Sequence, residues 1–272
     1  MKTRVITSAV GIPAIIIVLL LSQFITPFIT TVILSLLTVL MVSEVLLAKK
    51  LLNDFRISGI CLAYAFAMPM VSFTKFWFLP FFVFSVALLA VMVFFHETVK
   101  LSNIAYSFFT TVVISTGIAS ITNMMTTYPD YCAFYAVLAI GVPWVADAGA
   151  YFAGVNLGTR KLCPKISPKK TVEGAIGGLL AGVLGTLIIG FIFDFIFGYT
   201  YVNYIALMII GFINAPLSML GDLGFSIIKR NLGIKDYGSI IPGHGGMLDR
   251  FDSVVITAPL VYIVSLFTII IL

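Results

Sequence analysis

The residues equipped for chemistry lie between Asp147 and Asp252 of a 272-residue chain that is otherwise oily. Their densest stretch is Ser226 to Asp252, SIIKRNLGIKDYGSIIPGHGGMLDRFD. In it Lys229, Arg230, Lys235 and Arg250 alternate with Asp236, Asp249 and Asp252 around His244 and its glycines. Only 10% of the chain is charged, against about 25% in soluble domains. Charge concentrated in this way reads as a site, and its chemistry suits phosphates and metal ions. Mg²⁺ takes oxygen ligands, keeps several waters and shares its remaining positions with substrate phosphates. The glycines of Pro242-Gly243-His244-Gly245-Gly246 leave backbone N–H groups unshielded, so that they can wrap an anion.

Two more acids stand where a carboxylate is costly. Asp147 lies in PWVADAGAYFAG and Asp222 in MLGDLGFSIIKR, both inside apolar runs. A carboxylate at the centre of a spanning helix costs about 2.5–3.5 kcal/mol on insertion scales, so it normally faces a polar cavity or a cation. Asp222 precedes Lys229 by seven residues, which places it about 10 Å from the helix end at a rise of 1.5 Å per residue. Asp249 and Asp252 open the last apolar run, and the four carboxylates are expected to meet near one membrane face. Two readings stand side by side. Asp222, Asp249 and Asp147 are candidate metal ligands, or the acids form intramembrane ion pairs with Arg230, Arg250 or Lys170. For Asp252, pairing or helix capping is the favoured role. Ser167-Pro168-Lys169-Lys170-Thr171 puts two cations and two hydroxyls at the expected start of a helix, where the dipole and free amides attract anions. His244, beside Gly245 and Gly246, either donates to a phosphate or staples its loop.

The elements that must hold these residues are membrane helices. The chain is 61% hydrophobic with a mean hydropathy of +1.15, and about 20 apolar residues suffice to span a bilayer. About nine such runs are expected, near 5–22, 24–48, 57–73, 77–95, 103–125, 132–157, 172–197, 201–228 and 251–272. The expected fold class is therefore all-α, a polytopic transmembrane helical bundle with a cytoplasmic N-terminus. Met1-Lys2-Thr3-Arg4 before an apolar run also has the form of a signal peptide. No small-residue cleavage site follows Ser22, so the first span is expected to be retained.

The net charge of +5 is a matter of topology and calls for no nucleic acid. With the N-terminus inside, fifteen of the sixteen basic residues fall on the inner side and only Lys75 falls outside. That is the positive-inside bias. Glu44, His96 and Glu97 mark inner helix ends in interface or structural roles. Cys61, Cys132 and Cys163 show no pairing or metal-ligand spacing and read as packing residues. Gly174, Gly178 and Gly182 form a small-residue ridge suited to close helix contact, with the partner helix in this chain or in a second copy. Residues 1–140 read as an N-terminal transmembrane scaffold and residues 141–272 as a C-terminal transmembrane catalytic region.

The pattern Ser226, Lys229-Arg230, Lys235-Asp236, His244-Gly245-Gly246, Asp249-Arg250-x-Asp252 resembles the signature of the phosphatidate cytidylyltransferases, the CDP-diacylglycerol synthases. Pro143-Trp144-Val145-Ala146-Asp147 with Ala150-Tyr151 and Gly154, and Ser167 to Thr171 with Glu173-Gly174, are similar to the same family. The resemblance covers roughly residues 143–252, and Val172 departs from it where bacterial relatives commonly carry Trp. It implies that CTP and phosphatidate yield CDP-diacylglycerol and pyrophosphate, with Mg²⁺ and a monovalent cation such as K⁺. It also implies a metal site at Asp222 and Asp249 and often a homodimer. The expected location is the bacterial cytoplasmic (inner) membrane, with the active site facing the cytoplasm. Lys229, Arg230 and Arg250 join the two acids as expected catalytic residues. Ser167, Lys169, Lys170, Thr171, Lys235, Asp236, His244, Gly245, Gly246 and Asp252 are the expected substrate-binding residues.

Two rivals remain. A CTP-dependent polyprenol or dolichol kinase would phosphorylate an alcohol and release CDP. An ion-coupled transporter would place cations on the intramembrane acids, and it would show paired broken helices in matching halves; no such pairing is seen. A CDP-alcohol phosphotransferase is disfavoured because its Asp-Gly-x-x-Ala-Arg signature is missing.

Overall fold

A computed structural model describes residues 27–199, 201–240 and 245–271. Eight α-helices follow one another there: α1 (Pro27–Ala48), α2 (Phe55–Val71), α3 (Phe78–Phe94), α4 (Leu101–Thr127), α5 (Cys132–Leu157), α6 (Val172–Phe197), α7 (Tyr204–Asn231) and α8 (Leu248–Phe267). The helical class is as expected. The span count of about nine is not established. Six helices are long and apolar enough to cross a membrane, whereas α2 and α3 have 17 residues each. The expected run 5–22, with Lys2 and Arg4, lies outside the described residues.

Several helix ends follow from local chemistry. Asp54 caps α2, its Oδ1 accepting from the Arg56 N–H at 3.2 Å. The Arg56 guanidinium also grips both oxygens of Asp54, at 2.8 and 2.9 Å, and holds that carboxyl below the ordinary carboxylate range. The stabilisation from this pair is present at neutral pH and is lost as pH falls through the lowered folded-state value. Thr171 caps α6 by accepting from the Gly174 N–H at 3.1 Å. Asn203 caps α7 through the Ala206 N–H at 3.0 Å. Gly198, at a φ of +63°, ends α6 in the left-handed conformation that costs a glycine little.

The class needs one addition. Residues 161–171, expected as a basic loop running into a helix, fold as an antiparallel hairpin of β1 (Lys161–Cys163) and β2 (Ser167–Thr171). Ser167 to Lys170 are therefore strand residues, and only Thr171 sits at the helix start. The side chain of Glu173, in the first turn of α6, accepts from the Thr159 N–H at 3.1 Å, its hydroxyl at 2.8 Å and the Arg160 N–H at 3.2 Å. This carboxylate ties the foot of the hairpin to the positive end of the helix.

The chain divides into two units, one of residues up to Thr127 with Ile234–Phe251, the other of Tyr128–Gly233 with Asp252–Leu272. The boundary falls inside α8. In the first unit α1 to α4 enclose Met41, Leu46, Ile57, Leu88, Ile114 and Ile118, all fully buried. A ring stack runs from Tyr64 through Phe84 to Phe108, with centroid spacings of 4.3 and 5.6 Å. Lys49 lies over the Tyr106 ring and Arg56 over the Phe95 ring, at 4.6 and 4.7 Å.

In the second unit the glycine ridge finds its partner in the same chain. A Cβ on Gly174 would come within 2.8 Å of the Ala150 carbonyl on α5, and one on Gly178 within 3.0 Å of the Ala146 carbonyl. Gly182 meets the Gly211 carbonyl of α7 at the same distance of 3.0 Å. Gly149 and Gly177 serve the same seam from opposite sides, since a Cβ on either would overlap Ala181 or Ala153. The outer row of α6, including Ile176, Leu180, Leu184, Ile188 and Phe195, is exposed as a lipid-facing surface is. Gly178→Val is expected to cost about 1–3 kcal/mol through overpacking, measured as a lowered thermal midpoint in detergent. An unchanged midpoint would contradict the seam.

Candidate active site

Five charged side chains from four elements of the second unit lie within electrostatic reach of one another. Lys170 of β2 places its Nζ 2.6 Å from Asp222 Oδ2 on α7. Asp147 of α5 feels both Lys170 and Asp222. Asp252 of α8 feels Asp222, Lys229 and Asp147, with Lys229 Nζ 3.8 Å from its Oδ2. Lys229 and Asp252 are nearly enclosed, their side chains 9% and 11% exposed, while Asp222 is 33% exposed.

Helical spacing builds this arrangement. Ser218, Asp222 and Ser226 recur every four residues on α7 and so share one face. The Ser226 hydroxyl donates to Asp222 Oδ1 at 3.2 Å, and the Ser218 hydroxyl donates to Asp147 Oδ1 at 2.9 Å. Ser253 of α8 donates to the other oxygen of Asp147 at 3.0 Å. Ser218 and Ser253 were not anticipated as site residues. Their signal was the i, i+4 relation of Ser218 to Asp222 and the adjacency of Ser253 to Asp252.

The ion-pair reading of the acids is partly realised. The ion pairs join Asp222 to Lys170 and Asp252 to Lys229. The favoured pairing role of Asp252 is thus present, and it also accepts the Ser253 N–H at 2.8 Å. Among the described residues no three Asp, Glu, His or Cys side chains close into a cage for a metal ion. That does not disqualify Mg²⁺, which is typically held by one or two carboxylates with substrate phosphates completing the shell. Asp222 fits such a role: it is partly exposed, and one of its oxygens already lies 2.6 Å from a cation, the Lys170 ammonium. Asp147 fits less well, because hydroxyls already occupy both its oxygens.

The first unit holds the rest of the signature. Asp249 Oδ2 accepts the N–H of Tyr237 at 2.8 Å and of Gly246 at 2.9 Å. The expectation that the glycines offer bare N–H groups to an anion therefore fails at Gly246, whose N–H is taken. Gly245 has a φ of +91°, where a side chain is strained, and a Cβ there would come within 3.1 Å of Asp249 Oδ2. His244 lies outside the described residues, as do Pro242 and Gly243. Lys235, Asp236, Arg250 and, in the second unit, Lys169 and Arg230 are exposed. Glu44, expected in an interface or structural role, is 3% exposed, so the structural alternative holds. Its carboxylate accepts the N–H of Met247 at 2.8 Å and of Leu248 at 2.9 Å.

Comparison with known proteins gives one consistent picture. A model described as the cytidylyltransferase family matches residues 2–268. A phosphatidate cytidylyltransferase of Rickettsia felis is 35% identical over 212 residues, covering 77% of this chain and 90% of that protein. One of Synechocystis is 46% identical over 129 residues, 46% of this chain and 41% of the relative. One of Bacillus subtilis is 37% identical over 129 residues, 47% of this chain and 45% of the relative. The chain spans about half the length of several of the curated relatives it matches, 45% in Bacillus subtilis and 54% in Rickettsia bellii.

Proposed function

This chain belongs to the cytidylyltransferase family, and from that premise we propose that it is a membrane phosphatidate cytidylyltransferase, joining CTP and phosphatidate into CDP-diacylglycerol and pyrophosphate. One observation carries the reading. Asp147, Lys170, Asp222, Lys229 and Asp252 converge from a hairpin and three apolar helices, an expensive arrangement that a purely structural bundle does not need.

The reaction asks little covalent work of the protein. A phosphomonoester has a second pKa of about 6, so the lipid phosphate is already a nucleophile at neutral pH. Its oxygen forms a bond to the α-phosphorus of CTP, and the bond from that phosphorus to the bridging oxygen breaks, releasing pyrophosphate. Positioning and charge neutralisation carry such a transfer. Lys170 neutralises Asp222 and lessens the repulsion between this carboxylate and an incoming polyanion. Lys229 does the same for Asp252. The exposed Lys169, Arg230, Lys235 and Arg250 supply further charge for phosphate oxygens, and Ser167 and Thr171 of β2 supply hydroxyls. Mg²⁺, which we assign to Asp222 in this unit, would neutralise charge on the leaving pyrophosphate. Asp249 keeps the role of Mg²⁺ ligand that the family resemblance implies. K⁺, a homodimer, and a cytoplasm-facing site in the bacterial inner membrane belong to the same proposal.

Purified protein supplied with labelled CTP and phosphatidate is expected to form CDP-diacylglycerol and pyrophosphate in equal amounts. Labelled CDP without nucleotidyl-lipid would favour the lipid-alcohol kinase, and neither product would revive transport. Lys170→Met is expected to raise KM for CTP about tenfold or more, because it removes a charge-assisted bond worth about 1.5–3 kcal/mol and leaves Asp222 unneutralised before the incoming polyanion. An unchanged KM would remove that role from Lys170.

A further inference from the structure

We infer that Glu44, on α1 and about 200 residues before the signature, is a positioning residue for it: the Glu44 carboxylate fixes the backbone that presents Asp249. The inference rests on the reading of Asp249 given above, and everything it uses lies within the first unit.

Glu44 is a carboxylate enclosed in a helix of Leu, Val and Met, at 3% exposure. Such burial is unfavourable unless the charge is well hydrogen-bonded. Its two oxygens are divided between two consecutive amides, Oε1 taking Met247 and Oε2 taking Leu248. These amides open α8, where N–H groups have no partner inside the helix and the dipole favours an anion. The next residue in the chain is Asp249. Its own Oδ2 reaches back to the amides of Gly246 and Tyr237. Two carboxylates thus bind the three consecutive amides of Gly246, Met247 and Leu248, and Asp249 ties this turn to the amide of Tyr237 as well.

The same geometry explains two glycines that an anion-binding loop would not require. A Cβ on Gly246 would stand 2.7 Å from both oxygens of Glu44, and one on Gly238 would stand 2.7 Å from Oε1. Both positions stay bare so that this carboxylate can approach the backbone. Glu44 touches no reacting group in this scheme. It acts through Asp249.

Hydrogen exchange at Met247 and Leu248, the thermal midpoint, and kcat and KM for CTP are to be measured in detergent-purified full-length protein. Glu44→Gln keeps the shape but trades one acceptor for a donor facing an N–H. It is expected to speed exchange at these two amides, and to lower kcat about 10–100-fold, the usual penalty for loosening a support of a metal or catalytic ligand. KM for CTP should change less than about threefold, because no substrate-binding side chain is removed, while the midpoint should fall by a few degrees, since one buried amide loses its acceptor. Gly246→Ala is expected to reproduce the kcat loss. Combining it with Glu44→Ala should cost less than the sum of the two, since both act on one contact. Wild-type kcat in Glu44→Gln, a kcat loss that tracks the fraction unfolded, or full additivity would each overturn the inference. A wild-type protein that makes no CDP-diacylglycerol would instead defeat the proposed reaction. Unchanged exchange at Met247 and Leu248 in Glu44→Gln would sink the Glu44 inference by itself.

Discussion

Asp222→Asn is expected to lower turnover about 10²–10³-fold while the protein stays folded. The prediction follows from comparing two magnitudes. Asp222 is 33% exposed and its partner Lys170 is 22% exposed, so their pair is partly solvated and contributes about 0–1 kcal/mol to stability. The amide of Asn can still accept from the Ser226 hydroxyl, now 3.2 Å from Oδ1, and the helix face is preserved. The thermal midpoint should fall by only a few degrees, as about 1 kcal/mol implies for a chain of this size. Removing a carboxylate that would hold Mg²⁺ would forfeit several kcal/mol of charge stabilisation at the transition state, and about 3–4 kcal/mol corresponds to the stated loss. Turnover of CTP and the thermal midpoint, measured on the same preparation, separate the two effects. Wild-type activity in Asp222→Asn would end the assignment of Asp222. Loss of activity together with a collapse of the midpoint would make the residue structural.

Much of the fold was legible because hydropathy is a local property. The ranges expected from it for α5 and α6, 132–157 and 172–197, coincide with the helices observed. Both are bounded by residues that stop helices on their own account, Gly158 and Gly198 at the C-terminal ends and the Thr171 cap at the start of α6. The helix α7 is displaced by three residues, beginning after the Asn203 cap and running on through Lys229 and Arg230 to Asn231. Hydropathy penalises those two cations, but a nearly buried Lys229 paired with Asp252 remains helical. The hairpin at 161–171 was missed because its strands have three and five residues and no apolar alternation. In the site, the residue types were legible and the partnerships were not. Lys170 was one of three cations that could pair with the acids, and choosing among them requires knowing how a strand lies against α7. Glu44 gave no signal of its partners at all, because it binds amides about 200 positions away, and backbone donors carry no sequence identity.

Asp249 offers the sharpest separation of charge from scaffold, and the two substitutions there should diverge. Its Oδ2 accepts the N–H groups of Tyr237 and Gly246 at 2.8 and 2.9 Å. Asn at this position presents a carbonyl oxygen that can take both bonds, so Asp249→Asn keeps the turn but deletes the negative charge. Its turnover is expected to fall about 10²–10³-fold, by the several kcal/mol that charge stabilisation is worth, with a midpoint near wild type. Asp249→Ala removes both acceptors, leaving two amides beside a half-buried position without their partner, at about 1–3 kcal/mol for each that stays dry. It should lose activity at least as severely and also lower the midpoint by several degrees. Near-normal turnover in Asp249→Asn would show that this carboxylate is only a clasp for its loop. Equal midpoints in the Ala and Asn variants would show that the two backbone bonds add nothing to stability. The contrast therefore tests the chemistry and the architecture of the signature with one residue, and it does so without depending on which substrate phosphate the charge serves.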